Sequence, residues 1–284
     1  MVEPYLQTLG NGLVVLEALH EKPRTQAELV EDLGMNRLTT YRVLRTLEVH
    51  RMVDQDPVSG RYSLAVKLWE YGVEFLANSG LRPKVEGPAL ELRGRWGDTV
   101  HVAVYDSGSV VYIHKLDGTE ALRSYTALGG RAPARCVATG KALLAFQSET
   151  EVKRQITASL PAFTAATIQD EEILRRELEA IRAAKVAVNR GEWRAGVGGI
   201  ASPILTSDGS AIGALGISGP VDRILDEMWQ DRAEHIRTLA AGISASLVPS
   251  EKQQKWDHIY ELGKPVGGLP VAGIWQEKAA QRGD

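Results

Sequence analysis

The sequence predicts an α+β protein: a small winged helix-turn-helix, then a linking helix, then a larger domain of strands flanked by helices. Three observations carry this prediction. Two short, capped helices enclose a glycine turn between Thr25 and Val49; a turn between two strand-like pieces follows directly; and beyond residue 83 alternating β-patterned segments are interleaved with helical ones. The 284 residues suffice for two ordinary domains, and 44% hydrophobic residues give a globular composition. The expected boundaries are 5–66 for the winged domain, 67–82 for the linking helix, 83–248 for the second domain and 249–284 for a C-terminal extension.

In chain order, Leu9, Leu13, Leu16, Ala18 and Leu19 recur at broadly helical spacing from Leu6 to Glu21, and Lys22-Pro23 ends that helix. It is expected to pack behind the helix-turn-helix. Thr25 followed by Glu28 is a capping box, so a helix starts there and carries Ala27, Leu29, Val30 and Leu33 before leaving through Gly34. Asn36 is a favoured N-cap for the next helix, whose Thr40, Leu44 and Leu47 form a packing seam. Thr39, Arg42 and Thr46 then point away from it, with Arg45 on the shoulder and Leu38 outward at the helix start. Asp54 to Ser63, with Pro57 and Ser59-Gly60 as the turn, reads as a wing with Arg61 near its tip.

Two short helices joined by a tight glycine turn, with cations on the outer face of the second, match a unit that docks in the major groove. The net charge of −3 argues against wholesale electrostatic binding of nucleic acid, but the charge is local. Arg37, Arg42, Arg45 and Arg51 face a single acid, Glu48, so residues 36–51 carry +3. An ordinary solvated helix face is the plain alternative.

The chain here resembles the IclR family of bacterial transcriptional regulators, whose recognition helix reads S-T-V-x-R-L-L-x-T-L and whose wing ends in Y-x-L. Thr39 to Leu47 (TTYRVLRTL) and Tyr62-Ser63-Leu64 carry that resemblance. It implies that Arg37, Leu38, Thr39, Tyr41, Arg42, Arg45 and Arg61 meet a double-stranded DNA operator. Leu38 stands where the motif begins with serine, which either removes a phosphate contact or puts a methyl-reading side chain in the groove.

After the wing, Leu64, Leu68, Tyr71 and Phe75 repeat at helical intervals and are expected to be buried between chains of a homodimer; the resemblance allows dimers to pair into a tetramer. Folding back onto the chain's own winged domain is the alternative. Asn78-Ser79-Gly80 and Pro83 form a hinge. A helix from Lys84 to about Trp96 precedes two strands, Thr99 to Tyr105 and Val110 to Lys115, around Asp106-Ser107-Gly108, which is a hairpin. Helices near Thr139 to Phe146 and Asp170 to Ala184, strands at Gly198 to Leu205 and Ala211 to Ser218, and a last helix from Val221 to Leu247 complete the domain.

The resemblance extends to Leu247 and implies that this domain is GAF-like and senses a small molecule. Its most specific stretches are Gly129 to Pro133, Ala138 to Leu144, Gly191-Glu192, Ile200 to Ile204 and Ser218 to Pro220. By resemblance the effector pocket is lined by Ser124, Ala132, Ala138, Thr139, Asn189, Gly199, Gly216 and Ser218. Thr139-Gly140 opens a helix whose free N–H groups suit an anion. Family members often carry an acid near position 189 and a histidine near 135. Asn189 and Arg135 in their place favour an anion, so the expected effector is a small organic acid, an aromatic or keto acid among them.

The single cysteine, Cys136, excludes an intramolecular disulfide and fits a reducing cytosol; no signal sequence or membrane-spanning apolar run is present, so a cytoplasmic location without membrane contact is expected. Two other function classes compete. Cys136, lying just before a helix, would be the nucleophile of an enzyme if His101 or His114 served as its base; as a small apolar filler it has no chemistry. A winged helix used only for protein contacts is the other. The sequence shows no metal-ligand spacing, P-loop or dinucleotide fingerprint, and no cofactor is expected. Trp256, Ile259, Tyr260, Leu262, Ile274 and Trp275 make the extension too apolar for a solvated linker, so it is expected to pack on its own subunit or a neighbour.

Overall fold

The computed structural model describes residues 6–78, 80–119, 126–159 and 161–247. The C-terminal extension and Ser124 lie outside the described residues. Two compact units part at residues 78/79.

In the first unit, α1 (Gln7–Glu21), α2 (Gln26–Leu33) and α3 (Arg37–Val49) precede an antiparallel hairpin, β1 (Val53–Gln55) and β2 (Tyr62–Leu64), and α4 (Lys67–Asn78). The reciprocal cap forms as the spacing demands: the Glu28 N–H donates to Thr25 Oγ1 at 3.3 Å and the Thr25 N–H to Glu28 Oε2 at 2.7 Å. Gly34 leaves α2 at φ 62°, a left-handed conformation that a side chain would strain. Asn36 then caps α3, accepting the Thr39 N–H at 2.8 Å. Val15, Ala18 and Leu19 of α1 meet Leu29, Val43, Leu44, Val53 and Tyr62 in one core.

Two expectations change here. Leu9 and Leu13 are 62% and 52% exposed, because the buried stripe of α1 is Val15, Ala18 and Leu19, rotated away from them. Leu64 belongs to β2, paired with Val53, and not to the linking helix, which starts at Lys67. The apolar residues that α4 and its approach expose are Val66, Trp69, Tyr71 and Phe75.

The second unit opens with α5 (Arg82–Trp96), followed by the hairpin β3 (Thr99–Asp106) and β4 (Ser109–Leu116). Ser107 (φ 50°) and Gly108 (φ 90°) form its two-residue turn, both with positive φ, matching the twist of the strands. β5 (Arg131–Pro133) leads through a 3₁₀ turn at Ala134–Cys136 into α6 (Ala138–Leu144), then α7 (Glu149–Thr157) and α8 (Glu171–Ala184). β6 (Ala187–Arg190), β7 (Val197–Leu205), β8 (Ala211–Pro220), α9 (Val221–Ile224) and α10 (Trp229–Ser246) complete it. Among the described residues the strands form one antiparallel sheet in the order β5-β4-β3-β8-β7-β6.

Alternation along β3 divides the sheet's faces. Val100, Val102 and Val104 pack on α5 and α10 through Val85, Ala89, Leu92, Ile236 and Ala240, while Ala103 and Tyr105 look to Leu143, Leu174 and Leu178 of α6 and α8. On the α6 face the register aligns two rows across the strands: Thr99, Ser218, Gly199 and Asn189; then His101, Gly216, Ala201 and Ala187. Small residues in these rows let α6 approach the sheet. α7, β5 and β6 are additions to the expected elements, and the expected final helix is broken at 225–228, where the Asp226 carboxylate accepts the Met228 N–H at 2.8 Å. No helix among the described residues is long and apolar enough to cross a membrane.

Candidate effector pocket and nucleic-acid interface

A cavity of about 70 Å³ lies at the α6 end of the sheet. One water needs roughly 10–15 Å³ in this measure, so several ligand atoms fit. Its floor holds His101, buried at 3% exposure, with the imidazole Nε2 2.6 Å from the Thr126 hydroxyl and Nδ1 3.4 Å from Ser218 Oγ. Tyr112 packs on the same imidazole at 4.7 Å between ring centroids and is hydrogen-bonded by Thr139. Burial, with the charge of Lys115 adding to it and that of Asp117 opposing it, pushes His101 down to about 3, so its ring is neutral near pH 7; burial likewise pushes Tyr112 up to about 12. Val137, Ala138, Val197 and Ile217 give the wall its apolar part.

β6 contributes Asn189, and the β6–β7 loop contributes Trp193 and Arg194. The Arg194 guanidinium stacks 4.8 Å above the Trp193 ring. Asn189 organises its own loop: Oδ1 accepts the Gly191 and Glu192 N–H groups at 3.0 and 3.1 Å, and Nδ2 donates to the Val197 carbonyl at 3.3 Å. Lys141, wholly buried beneath this loop, donates to Glu177 at 2.5 Å and Glu192 at 2.7 Å, pinning α6 to α8 and to the residue before Trp193.

Of the residues expected to line the pocket, Ala138, Thr139, Asn189, Gly199 and Ser218 do so. Ala132 is a core residue of β5. At Gly140 an added Cβ would stand 2.3 Å from the Ala134 carbonyl oxygen, and at Gly216 2.7 Å from the Ala201 Cβ, so both glycines permit close packing and do not line this cavity. Arg135, expected in the pocket, lies outside its lining. It is 5% exposed and donates to the carbonyls of Gln155 at 2.8 Å and Ala158 at 2.9 Å, satisfying the C-terminal end of α7 and leaving the pocket's cation to Arg194. His101, singled out by the sequence only as a candidate base for Cys136, and Tyr112, Trp193 and Arg194, not singled out at all, also line the pocket. The polar His101 inside the valine-rich run of β3 was the available signal for the first.

Cys136 is buried, and burial pushes its thiol up to about 12, away from the thiolate a nucleophile needs. His101 is engaged by Thr126 and Ser218, and His114 faces Glu86 at 3.7 Å. Among the described residues no cluster of side chains suits a metal ion.

In the first unit, α3 turns Thr40, Val43, Leu44 and Leu47 inward and leaves Arg37, Leu38, Tyr41, Arg42 and Arg45 exposed, with Thr39 half-buried. Arg45 pairs with Glu48 on the same helix. Arg61 departs from expectation: it sits at the base of the wing, forks onto Glu28 at 2.9 and 3.0 Å, and donates to the Pro23 carbonyl at 3.0 Å. The Thr25 N–H first, and this pairing second, hold Glu28 at about 2, and the pairing ties wing to α2; the turn at 57–60 carries the 94% exposed Val58 instead.

The sequence matches the family model described as bacterial transcriptional regulator IclR C-terminal over residues 73–245, and the IclR helix-turn-helix domain over residues 8–57. The chain belongs to the IclR family. The transcriptional regulator KdgR of Escherichia coli K12 is 33% identical over 82% of this chain and 89% of its own length; XynR of the same strain is 29% identical over 86% and 98%. Among solved structures, an IclR regulator from Alicyclobacillus acidocaldarius superposes with a TM-score of 0.74 at 26% identity over 85% of this chain and 99% of that one. An IclR homologue from Microbacterium hydrocarbonoxydans, complexed with 4-hydroxybenzoate, shares the fold with a TM-score of 0.75 at 24% identity over 84% and 98%. This IclR-family chain is accordingly a ligand-responsive, helix-turn-helix transcriptional regulator, and its relatives are named as regulators and not as enzymes.

Proposed function

We propose that the effector of this regulator is a small organic acid, aromatic or keto acids included, and that its carboxylate binds between Arg194 and the hydroxyls of Ser218, Thr126 and Thr139. One observation carries the reading: among the described residues the pocket wall has a cation, several hydroxyls and no carboxylate. An apolar body fits against Val137, Val197 and Ile217, and Trp193 offers a ring face. The first-turn N–H groups of Ala138 and Thr139 add donors, since Val137 gives that helix no side-chain cap. The Microbacterium homologue, whose fold holds an aromatic hydroxy acid, is consistent with this class.

The chain acts on operator DNA in the cytoplasm as a homodimer, with α3 in the major groove. α1 and the residue before it expose Leu6, Leu9, Leu13 and Val14, and α4 exposes Trp69, Tyr71 and Phe75, two apolar faces on the winged unit that suit pairing with a second copy. Two copies give two half-sites about one helical turn or a multiple apart. Nuclease footprinting on the region upstream of its own gene, with and without small carboxylates, tests the reading. A paired footprint that an acid weakens or moves supports it; a footprint indifferent to every acid removes the effector class, and no footprint on any duplex removes α3 as the reader.

A further inference from the structure

Leu38, Tyr41, Arg42 and Arg45 fall at i, i+3, i+4 and i+7 of α3 and so share one stripe. The opposite stripe is the core-facing seam, which leaves this one to solvent or to a partner. Leu38 and Tyr41 are 58% and 49% exposed beside the arginines, so this stripe offers apolar contact surface and cationic charge together. A second copy of this chain is a poor occupant, because residues 36–51 carry +3 and two such faces repel. Duplex DNA suits both halves of the stripe: phosphates line the groove walls, and the C5-methyl of thymine is the apolar group among the base edges of the major groove.

Leu38 is the second residue of α3, at the end of a recognition helix that contacts bases. Leucine has neither donor nor acceptor, so it cannot read the hydrogen-bonding pattern of a base and gains only from a methyl group. Its neighbours Arg37 and Arg42 supply the charge that holds the helix against the duplex. We propose that Leu38 packs on a thymine C5-methyl, so that each operator half-site carries a thymine at the position α3 enters first. This rests on α3 being the DNA reader and adds which base it selects.

The test uses the full chain. Binding sites are selected from randomised duplexes, and each selected thymine is then replaced by deoxyuridine, which removes the methyl and nothing else. The expected result is one thymine per half-site whose replacement weakens wild-type binding by about three- to tenfold, the scale of one buried methyl. Leu38→Ser binds the two duplexes within about twofold of each other, and Leu38→Ile keeps the preference. Leu38 is exposed, so the variants should fold; unchanged circular dichroism and unchanged binding to non-specific DNA check this. A selected site with no methyl-sensitive thymine, or equal sensitivity in Leu38→Ser, overturns the proposal while leaving α3 as reader. Failure to retain any duplex even at low salt overturns both.

Discussion

Replacing Lys141 by methionine isolates what the buried charge beneath the pocket contributes. The substitution keeps the side chain's length and apolar stem, so it opens little cavity and removes chiefly the ammonium. That ammonium has no solvent exposure and holds Glu177 at 2.5 Å and Glu192 at 2.7 Å, the two carboxyl side chains being 22% and 4% exposed. Glu192 is then left in the interior with the Arg190 N–H as its remaining partner. Removing one member of a buried pair costs about 3–5 kcal/mol, and the water within reach of Glu177 places this case near the lower figure. For a domain whose total stability is about 5–15 kcal/mol, a loss of ~3 kcal/mol lowers the melting temperature by roughly 6–12 °C. Lys141→Met combined with Glu192→Gln should cost less than the two single changes added together, because the orphaned charge is gone; the coupling expected is about 1–3 kcal/mol. Denaturant unfolding of the second unit, resolved from that of the first, measures all three proteins. A cost under about 1 kcal/mol for Lys141→Met, or strict additivity in the double variant, refutes the claim that this network secures the pocket loop.

Three further outcomes are expected. Arg42→Ala should weaken operator binding and flatten its dependence on log salt by about one counterion unit, read by titrations at several salt concentrations; an unchanged slope would move the reader elsewhere. His101 sits at about 3 in the folded chain and near 6.5 when unfolded, so between these values the unfolded state binds the extra proton, and stability falls as the pH falls through that window. By pH 5 the loss is about 2 kcal/mol, fading to almost nothing above about pH 7, and His101→Gln should remove that share of the slope in urea unfolding followed across pH. Tyr71→Glu with Phe75→Glu should convert the dimer to monomer at micromolar concentration by light scattering and lower operator affinity, whereas an unchanged mass would place the interface outside α4.

Local chemistry was legible in the sequence where it acts over a few residues. The Thr25–Glu28 box, the Asn36 cap, the glycine exit at Gly34 and the turn at Ser107-Gly108 are each dictated by neighbours in the chain, and each formed as read. The pocket was legible in part, through Ala138, Thr139, Asn189, Gly199 and Ser218. What escaped depends on distant partners. Arg135 looks like an anion donor until α7 presents its open carbonyls, and Arg61 looks like a wing-tip contact until Glu28 takes it up. Gly140 and Gly216 resemble ligand-facing glycines, yet the 3₁₀ turn and β7 are what press on them. α7, β5 and β6 escape a sequence reading because they are short, and β5 and β6 lie at the edges of the sheet; the break between α9 and α10 lacks a helix-breaking residue after Pro220.

Calorimetry of the full chain with a small carboxylic acid and its neutral amide, repeated in Arg194→Ala, tests the central claim most directly. Charge-assisted hydrogen bonds in a desolvated site are worth about 1.5–3 kcal/mol each, so the acid should bind about ten- to a hundredfold more tightly than its amide, and Arg194→Ala should erase most of that difference while DNA binding without ligand stays intact. Tighter binding of neutral or cationic compounds than of any acid would contradict the account.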